Sequence, residues 1–82
     1  MKNRDDILQL IRDIMQEMFE IEADEVTLEA NLYKDLDFDS IDAVDMIVKL
    51  KEMTGKALKP EDFKNARTIS DVVEAVYKLT NE

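Results

Sequence analysis

The residues best placed to do chemistry in this sequence form the tetrad Asp39-Ser40-Ile41-Asp42. The tetrad puts a hydroxyl at the predicted start of a helix, directly after a loop that is crowded with carboxylates. Taken alone, a serine at a helix start is most often an N-cap whose oxygen accepts a backbone N–H of the first turn. The functional interpretation is that Ser40 carries a covalently attached group, and its surroundings must decide between the two.

The sequence contains neither cysteine nor histidine. No thiolate or imidazole is therefore present to act as a nucleophile, a general base, a zinc ligand or a disulfide partner. Carboxylates can do acid–base chemistry in pairs, but they need a walled cleft that separates their pKa values. A chain of 82 residues has few residues with which to enclose such a cleft. We therefore predict that the protein is not an enzyme.

The negative charge is concentrated in one stretch of the chain. Of the 20 acids and 11 bases in the sequence, residues 20–45 hold ten acids and one base, Lys34, so the net charge of −9 lies there. The acids are Glu20, Glu22, Asp24, Glu25, Glu29, Asp35, Asp37, Asp39, Asp42 and Asp45. Such a run is often only a solvated surface. The functional alternative is a patch that repels nucleic acid and anionic membranes and steers basic partner proteins to it.

The same acids invite comparison with a calcium loop. Asp35, Asp37 and Asp39 have the alternate spacing of the first three ligands of an EF-hand. The match then fails, because the sixth position is Ser40 rather than Gly and the twelfth is Met46 rather than Glu. We therefore predict no dedicated metal site, only weak and nonspecific binding of divalent cations.

The elements that must position the tetrad are predicted to be helices. Apolar residues at 7, 11, 14 and 18 predict a first helix from about Asn3 to about Glu20. A long first loop follows, and its apolar residues indicate that it is pinned to the core: Val26, Leu28, Leu32, Tyr33, Leu36 and Phe38. A structureless loop of this length is unusual in a compact domain and points to function.

The second helix is predicted to begin at Asp39 or Ser40, both good caps, and to run to about Met53 before Thr54-Gly55 stops it. Its polar residues at 42, 45, 49 and 52 fall within an arc of roughly 80° on a helical wheel. We therefore expect this helix to lie wedged among the others, with one narrow polar stripe facing the solvent.

Two further helices complete the predicted fold. A short third helix begins at Lys59-Pro60-Glu61-Asp62 and ends by Ala66, and Thr68-Ile69-Ser70-Asp71 has the pattern of a capping box before the last helix. The prediction is an all-α, small four-helix bundle of three main helices, one short third helix and a long first loop, forming one domain over residues 1–82. Without a signal sequence or a bilayer-spanning apolar run, we expect a soluble, cytoplasmic monomer.

The segment 31–46 resembles the acyl carrier protein signature, in which an Asp-Ser-Leu motif at the head of the second helix bears 4′-phosphopantetheine. The resemblance extends over nearly the whole chain, through Gly55, Leu58 and the Thr68 cap. It implies that Ser40 receives the arm from coenzyme A on a separate phosphopantetheinyl transferase, which supplies magnesium and the base. The thiol of the arm would carry acyl groups as thioesters between enzymes of a fatty-acid-like, lipid or polyketide pathway.

The resemblance also implies a docking surface for those enzymes. Asp39, Asp42 and Asp45 correspond to the acidic positions that meet basic enzyme surfaces, with Ile41 and Met46 as the apolar residues among them. The expected partners are the transferase and the acyl-loading and acyl-processing enzymes. Their contacts should be weak and fast, because a shuttle has to leave each partner.

Several residues depart from the signature. The Gly that usually opens it is Asp37, and Ile41 replaces the usual Leu. Lys49 and Lys51 stand where fatty-acid carriers tend to have a small residue and an acid, so the partner set is expected to differ from that of primary fatty-acid synthesis.

The predicted short helix also departs, with Phe63 where a small residue is usual and Ala66 where Ile is usual. Phe63 either simply packs in the core or limits the length of the acyl chain that the protein can carry, and the sequence allows both. A peptidyl or D-alanyl carrier is the alternative within the class. From another class, a non-enzymatic helical adaptor or weak calcium-binding protein remains.

Overall fold

The computed structural model describes residues 3–59, 61, 63 and 65–81. Its α-helices are α1 (Arg4–Phe19), α2 (Ser40–Thr54) and α3 (Ile69–Thr80), with a short 3-10 helix at Ala23–Glu25. No β-strand occurs in these ranges, so the all-α prediction is confirmed. None of the described helices is both long enough and apolar enough to cross a bilayer.

Helix α1 has the predicted boundaries. The Asn3 side chain accepts the N–H of Asp6 at 2.9 Å and so caps the first turn. The helix ends at Glu20, whose backbone is left-handed with φ 56° and whose N–H donates to the Met15 carbonyl. The buried face of α1 consists of Ile7, Leu10, Ile11, Ile14 and Met15.

Helix α3 begins with the predicted capping box. Thr68 Oγ1 accepts the N–H of Asp71 at 3.2 Å, and Asp71 Oδ2 accepts the N–H groups of Arg67 and Thr68 at 3.0 and 3.2 Å. These two backbone donors, Arg67 before Thr68, hold the pKa of Asp71 below its usual value. The buried face of α3 is Ile69, Val72, Val73 and Val76.

Helices α1 and α3 pack against each other through these two apolar faces, and a surface contact lies beside them. Arg4 Nε lies 2.6 Å from Glu74 Oε1, and the Arg4 guanidinium lies over the Tyr77 ring at 4.1 Å from its centroid. The hydrogen bond between Arg4 and Glu74 raises the pKa of Arg4 and lowers that of Glu74. Because both side chains are exposed, the contact adds little to stability.

The loop between α1 and α2 is attached to the start of α3. The attaching backbone bonds run from Leu32 N–H to Arg67 O (2.8 Å), from Ile69 N–H to Ala30 O (3.0 Å) and from Ser70 N–H to Leu28 O (3.0 Å). Of the apolar loop residues named from the sequence, Val26, Leu32 and Phe38 are buried, Leu36 is half-buried, and Leu28 and Tyr33 are exposed. The loop is therefore held by backbone bonds as well as by its buried side chains.

The predicted short helix falls partly outside the described residues, since Pro60, Asp62 and Lys64 lie outside them. The described part has helical hydrogen bonds, from Phe63 N–H to Lys59 O at 3.3 Å and from Asn65 N–H to Glu61 O at 3.2 Å. This segment contributes buried side chains to the same core as α1 and α3.

Helix α2 lies at the surface, and the expectation that it is wedged among other helices is wrong. Its buried residues are Met46 and Leu50, whereas Ile41, Val44 and Val48 are 70%, 56% and 52% exposed. On a wheel of roughly 100° per residue the exposed trio lies opposite the buried pair. The sequence pattern showed a helix with apolar residues on two sides, and only one of those sides packs on the core.

Candidate functional site

Ser40 is the first residue of α2, and its side chain is exposed. The cap of the helix is Asp39, whose Oδ1 accepts the N–H groups of Ile41 at 2.9 Å and Asp42 at 3.0 Å. Of the two caps that the sequence allowed, the structure therefore selects Asp39. Within the described part of the chain, no hydrogen bond holds the Ser40 hydroxyl.

Asp42 closes a capping box with Asp39. Its Oδ2 accepts the Asp39 N–H at 3.3 Å, and its side chain is half-buried. One carboxylate of the predicted docking set therefore also stabilises the first turn of α2. Asp45, one turn further along, is exposed and makes no such bond with a described residue.

The predicted docking residues do not all reach the surface. Asp39, Ile41 and Asp45 are exposed, but Met46 is 0% exposed and packs in the core. Because the residue five positions after Ile41 falls on the inner side of α2, Met46 cannot meet a partner in this conformation. The prediction for Met46 is corrected accordingly.

Two further apolar residues of the same helix lie at the surface and were not predicted to do so from the sequence. Val44 and Val48 are exposed and, with Ile41, have the spacing i, i+3, i+7 of a single helix face. We call these three residues the α2 apolar stripe. Their spacing was visible in the sequence, but nothing there showed which apolar side of α2 faces the core.

Asp37 has a left-handed backbone with φ 56°. This is the position where the acyl carrier signature usually has Gly, the residue that adopts such a backbone at least cost. Asp tolerates the conformation better than most side chains do. The left-handed turn that leads into Ser40 is therefore made here by Asp rather than by Gly.

The acids before α2 do not form a metal site in the residues that the structure describes. Asp35, Asp37 and Asp39 are exposed, and no group of three acidic side chains is close enough together to hold an ion. Asp35 and Asp39 instead accept backbone hydrogen bonds, Asp35 from Asn31 at 2.7 Å.

The other residues that depart from the signature lie partly in the core and partly at the surface. Phe63 is 1% exposed and Ala66 is also buried, as ordinary core packing requires. Lys51 is exposed and Lys49 half-buried on α2. A surface cavity of about 480 Å³ lies beside α3, and its lining includes Ala66 but neither Ser40 nor a predicted docking residue.

The geometry fits a phosphopantetheine group on Ser40. A phosphodiester there would sit at the positive end of α2, where a negative group is stabilised. An exposed serine leaves room for a transferase to reach the hydroxyl, and the nearby carboxylates present a negative surface around it.

Comparison with known proteins shows the family of the chain. Residues 9–76 match the family model described as phosphopantetheine attachment site. The chain is 55% identical over 74 residues to acyl carrier protein 2 of Ralstonia nicotianae, covering 90% of this chain and 91% of that one.

Solved structures of acyl carrier proteins share the fold. The protein from Thermotoga maritima superposes with a TM-score of 0.83 at 23% identity, covering 95% of this chain and 91% of that one. The protein from Enterococcus faecalis does so with a TM-score of 0.78 at 30% identity, covering 96% and 99%. By the family match and the identity to its relatives, this chain belongs to the acyl carrier proteins, which bear a covalent phosphopantetheine.

Proposed function

We propose that Ser40 is the residue that carries the 4′-phosphopantetheine arm. The observation that supports this most directly is the free, exposed hydroxyl at the first position of α2, next to a cap supplied by Asp39. The arm supplies a thiol that holds acyl groups as thioesters. The chain itself supplies the hydroxyl and a docking surface, and it acts as a substrate of its partner enzymes rather than as a catalyst.

The proposed docking surface combines the α2 apolar stripe with the carboxylates of Asp39, Asp42 and Asp45. The stripe offers exposed apolar area directly beside Ser40, which suits burial against a partner. The carboxylates attract basic enzyme surfaces and speed association. The transferase and the acyl-loading and acyl-processing enzymes are the proposed partners.

We propose that the carried group is an acyl chain of a fatty-acid-like, lipid or polyketide pathway. The alternative of a peptidyl or D-alanyl carrier uses the same serine, and loading assays with the respective activating enzymes separate the two. Residues 1–82 are proposed to be one carrier domain in which the segment around Phe63 forms the fourth, short helix. The monomeric state and the cytoplasmic location stay predictions.

Intact mass tests the attachment site. After incubation with a broad-specificity phosphopantetheinyl transferase and coenzyme A, the wild-type protein should gain the mass of one phosphopantetheine, and Ser40→Ala should gain none. Ser70→Ala is the matched control, because Ser70 is the other serine of the chain and also lies in the first turn of a helix. Modification of Ser40→Ala, or none of the wild type, would refute the proposal.

A second experiment tests partner choice. The double change Lys49→Ala, Lys51→Glu should improve acylation by generic fatty-acid synthesis enzymes, since the lysines oppose a basic docking groove. Asp45→Lys should slow every partner, with an effect that shrinks at high salt. Asp45 is a cleaner probe than Asp42, which also belongs to the capping box. Acylation rates across a salt series that show no gain from the lysine changes would end the specialised-partner hypothesis.

A further inference from the structure

Asp39 takes part in most of the hydrogen bonds at the start of α2. Its Oδ1 takes the N–H groups of Ile41 and Asp42, its carbonyl takes the N–H of Ala43 at 3.0 Å, and its own N–H goes to Asp42 Oδ2. The first turn is therefore fixed around a residue that lies next to the reactive serine without itself reacting.

The arrangement has a direct consequence for the Ser40 hydroxyl. Serine competes well for the cap position, and as a cap its oxygen would accept the N–H of the second or third helical residue. If Asp39 lost its acceptor, the cap could move one residue along, with Ser40 Oγ accepting from Asp42 or Ala43. The hydroxyl would then point back at the helix and away from an approaching enzyme.

We infer that Asp39 is a positioning residue for the loading of Ser40, and that this positioning acts through its cap hydrogen bonds, separately from the role of its charge in docking. The inference rests on the proposed attachment at Ser40. In the loading step a bond forms between Ser40 Oγ and a phosphorus of the coenzyme A pyrophosphate, and the P–O bond to adenosine 3′,5′-bisphosphate breaks. The hydroxyl proton passes to the base of the transferase. Asp39 keeps Oγ out of the backbone hydrogen bonds, so that its lone pair is available for this attack.

The cap and the charge can be separated by two substitutions at one position. Asp39→Asn keeps a good cap acceptor and loses the charge, whereas Asp39→Glu keeps the charge and is a poor cap. Asp45→Asn is the matched control for loss of charge alone, because Asp45 is exposed on the same helix and accepts no cap hydrogen bond from a described residue.

Steady-state loading by a broad-specificity transferase with coenzyme A gives the primary measurement. Asp39→Asn should keep kcat within about twofold and raise KM as Asp45→Asn does, since charge acts on association. Asp39→Glu should lower kcat by about five- to tenfold at an unchanged salt dependence, because the reacting oxygen is misplaced.

Amide hydrogen exchange supplies a readout that a general loss of stability would not produce. In Asp39→Glu and Asp39→Ala the Ile41 amide should lose protection while the Asp42 amide keeps it, as expected when Ser40 Oγ replaces Asp39 Oδ1 as the cap acceptor. If Asp39→Asn lowers kcat as much as Asp39→Glu does, or if Asp39→Glu loads at the wild-type kcat, the positioning role is wrong. A wild-type protein that is never loaded would instead overturn the attachment at Ser40.

Discussion

Left-handed backbone conformations occur at the ends of α1 and α2 and in the turn before Ser40. Glu20 and Asp37 have left-handed backbones without being glycine, and Gly55, which ends α2, has φ 76°. At Gly55 the conformation costs least, because no side chain is present to oppose it. At Asp37 the turn into Ser40 is kept at some cost in stability.

Asp37→Gly should stabilise the protein by about 0.5 kcal/mol, because glycine relieves the left-handed strain but has more freedom in the unfolded chain. It should not change the loading of Ser40. Urea denaturation measures the free energy of unfolding, and Asp37→Asn controls for the lost charge, since Asn also tolerates this backbone. A loss of stability in Asp37→Gly would show that the Asp37 side chain stabilises the fold by more than its left-handed backbone destabilises it.

At the scale of whole elements, the start of α3 organises the region around the site. The Thr68 and Asp71 capping box lies where the loop from α1 is attached by backbone hydrogen bonds, and an isolated bridge joins Asn31 to Thr68. The loop that leads into Ser40 is therefore held near its middle by the start of a different helix.

Thr68→Ala should lower stability by about 1 kcal/mol, the usual effect of losing a cap. It should also speed amide exchange at Leu32, Ile69 and Ser70, whose N–H groups take part in the attachment. Thr27→Ala is the control, because Thr27 lies exposed in the same loop. If exchange speeds only within α3, the loop is held independently of the cap.

Asp71 should make stability depend on pH. Its folded pKa lies below the unfolded value of about 3.9, so its contribution is full above that pH and is lost as the pH falls through the folded pKa. The difference in unfolding free energy between the wild type and Asp71→Asn should therefore shrink between about pH 5 and pH 2. Urea titrations at several pH values check this, and a difference that does not change with pH would contradict the assignment.

The elements differ in how far the sequence predicted them. The boundaries of α1 and the capping box of α3 followed from side chains that act locally, Asn3 and Thr68. The orientation of α2 did not follow, because Met46 and Val48 are both apolar and only the packing of other elements decides which is buried. The residue types around Ser40 were enough to predict it as the attachment residue, whereas the exposure of Val44 and Val48 depends on this packing and could not be predicted.

The net charge of the whole molecule lies in residues 20–45, the stretch that includes Ser40. The ten acids between residues 20 and 45, which are accompanied by one base, repel one another in the folded state. The molecule measures 30 × 23 × 20 Å, which leaves these acids little room to separate. At low ionic strength the Debye length is comparable with these dimensions. The repulsion therefore acts across the domain.

Moderate salt, or added magnesium or calcium, should raise the melting temperature, because both screen or bind these carboxylates. The triple variant Asp24→Asn, Glu29→Gln, Asp45→Asn should melt higher than the wild type at low salt and gain less from added salt. Thermal melts followed by circular dichroism measure both effects. A wild-type melting temperature that is indifferent to salt and to divalent cations would show that the acids are too dispersed to interact.

The exposed α2 apolar stripe gives ionic strength a second and opposite effect. The stripe, formed by Ile41, Val44 and Val48, is an exposed hydrophobic surface that two copies of the protein could bury against each other. The nearby carboxylates oppose this association, because they repel those of the other copy. Salt that makes each folded molecule more heat-resistant also weakens this barrier between molecules. Solubility at high concentration should therefore fall under the very conditions in which the melting temperature rises.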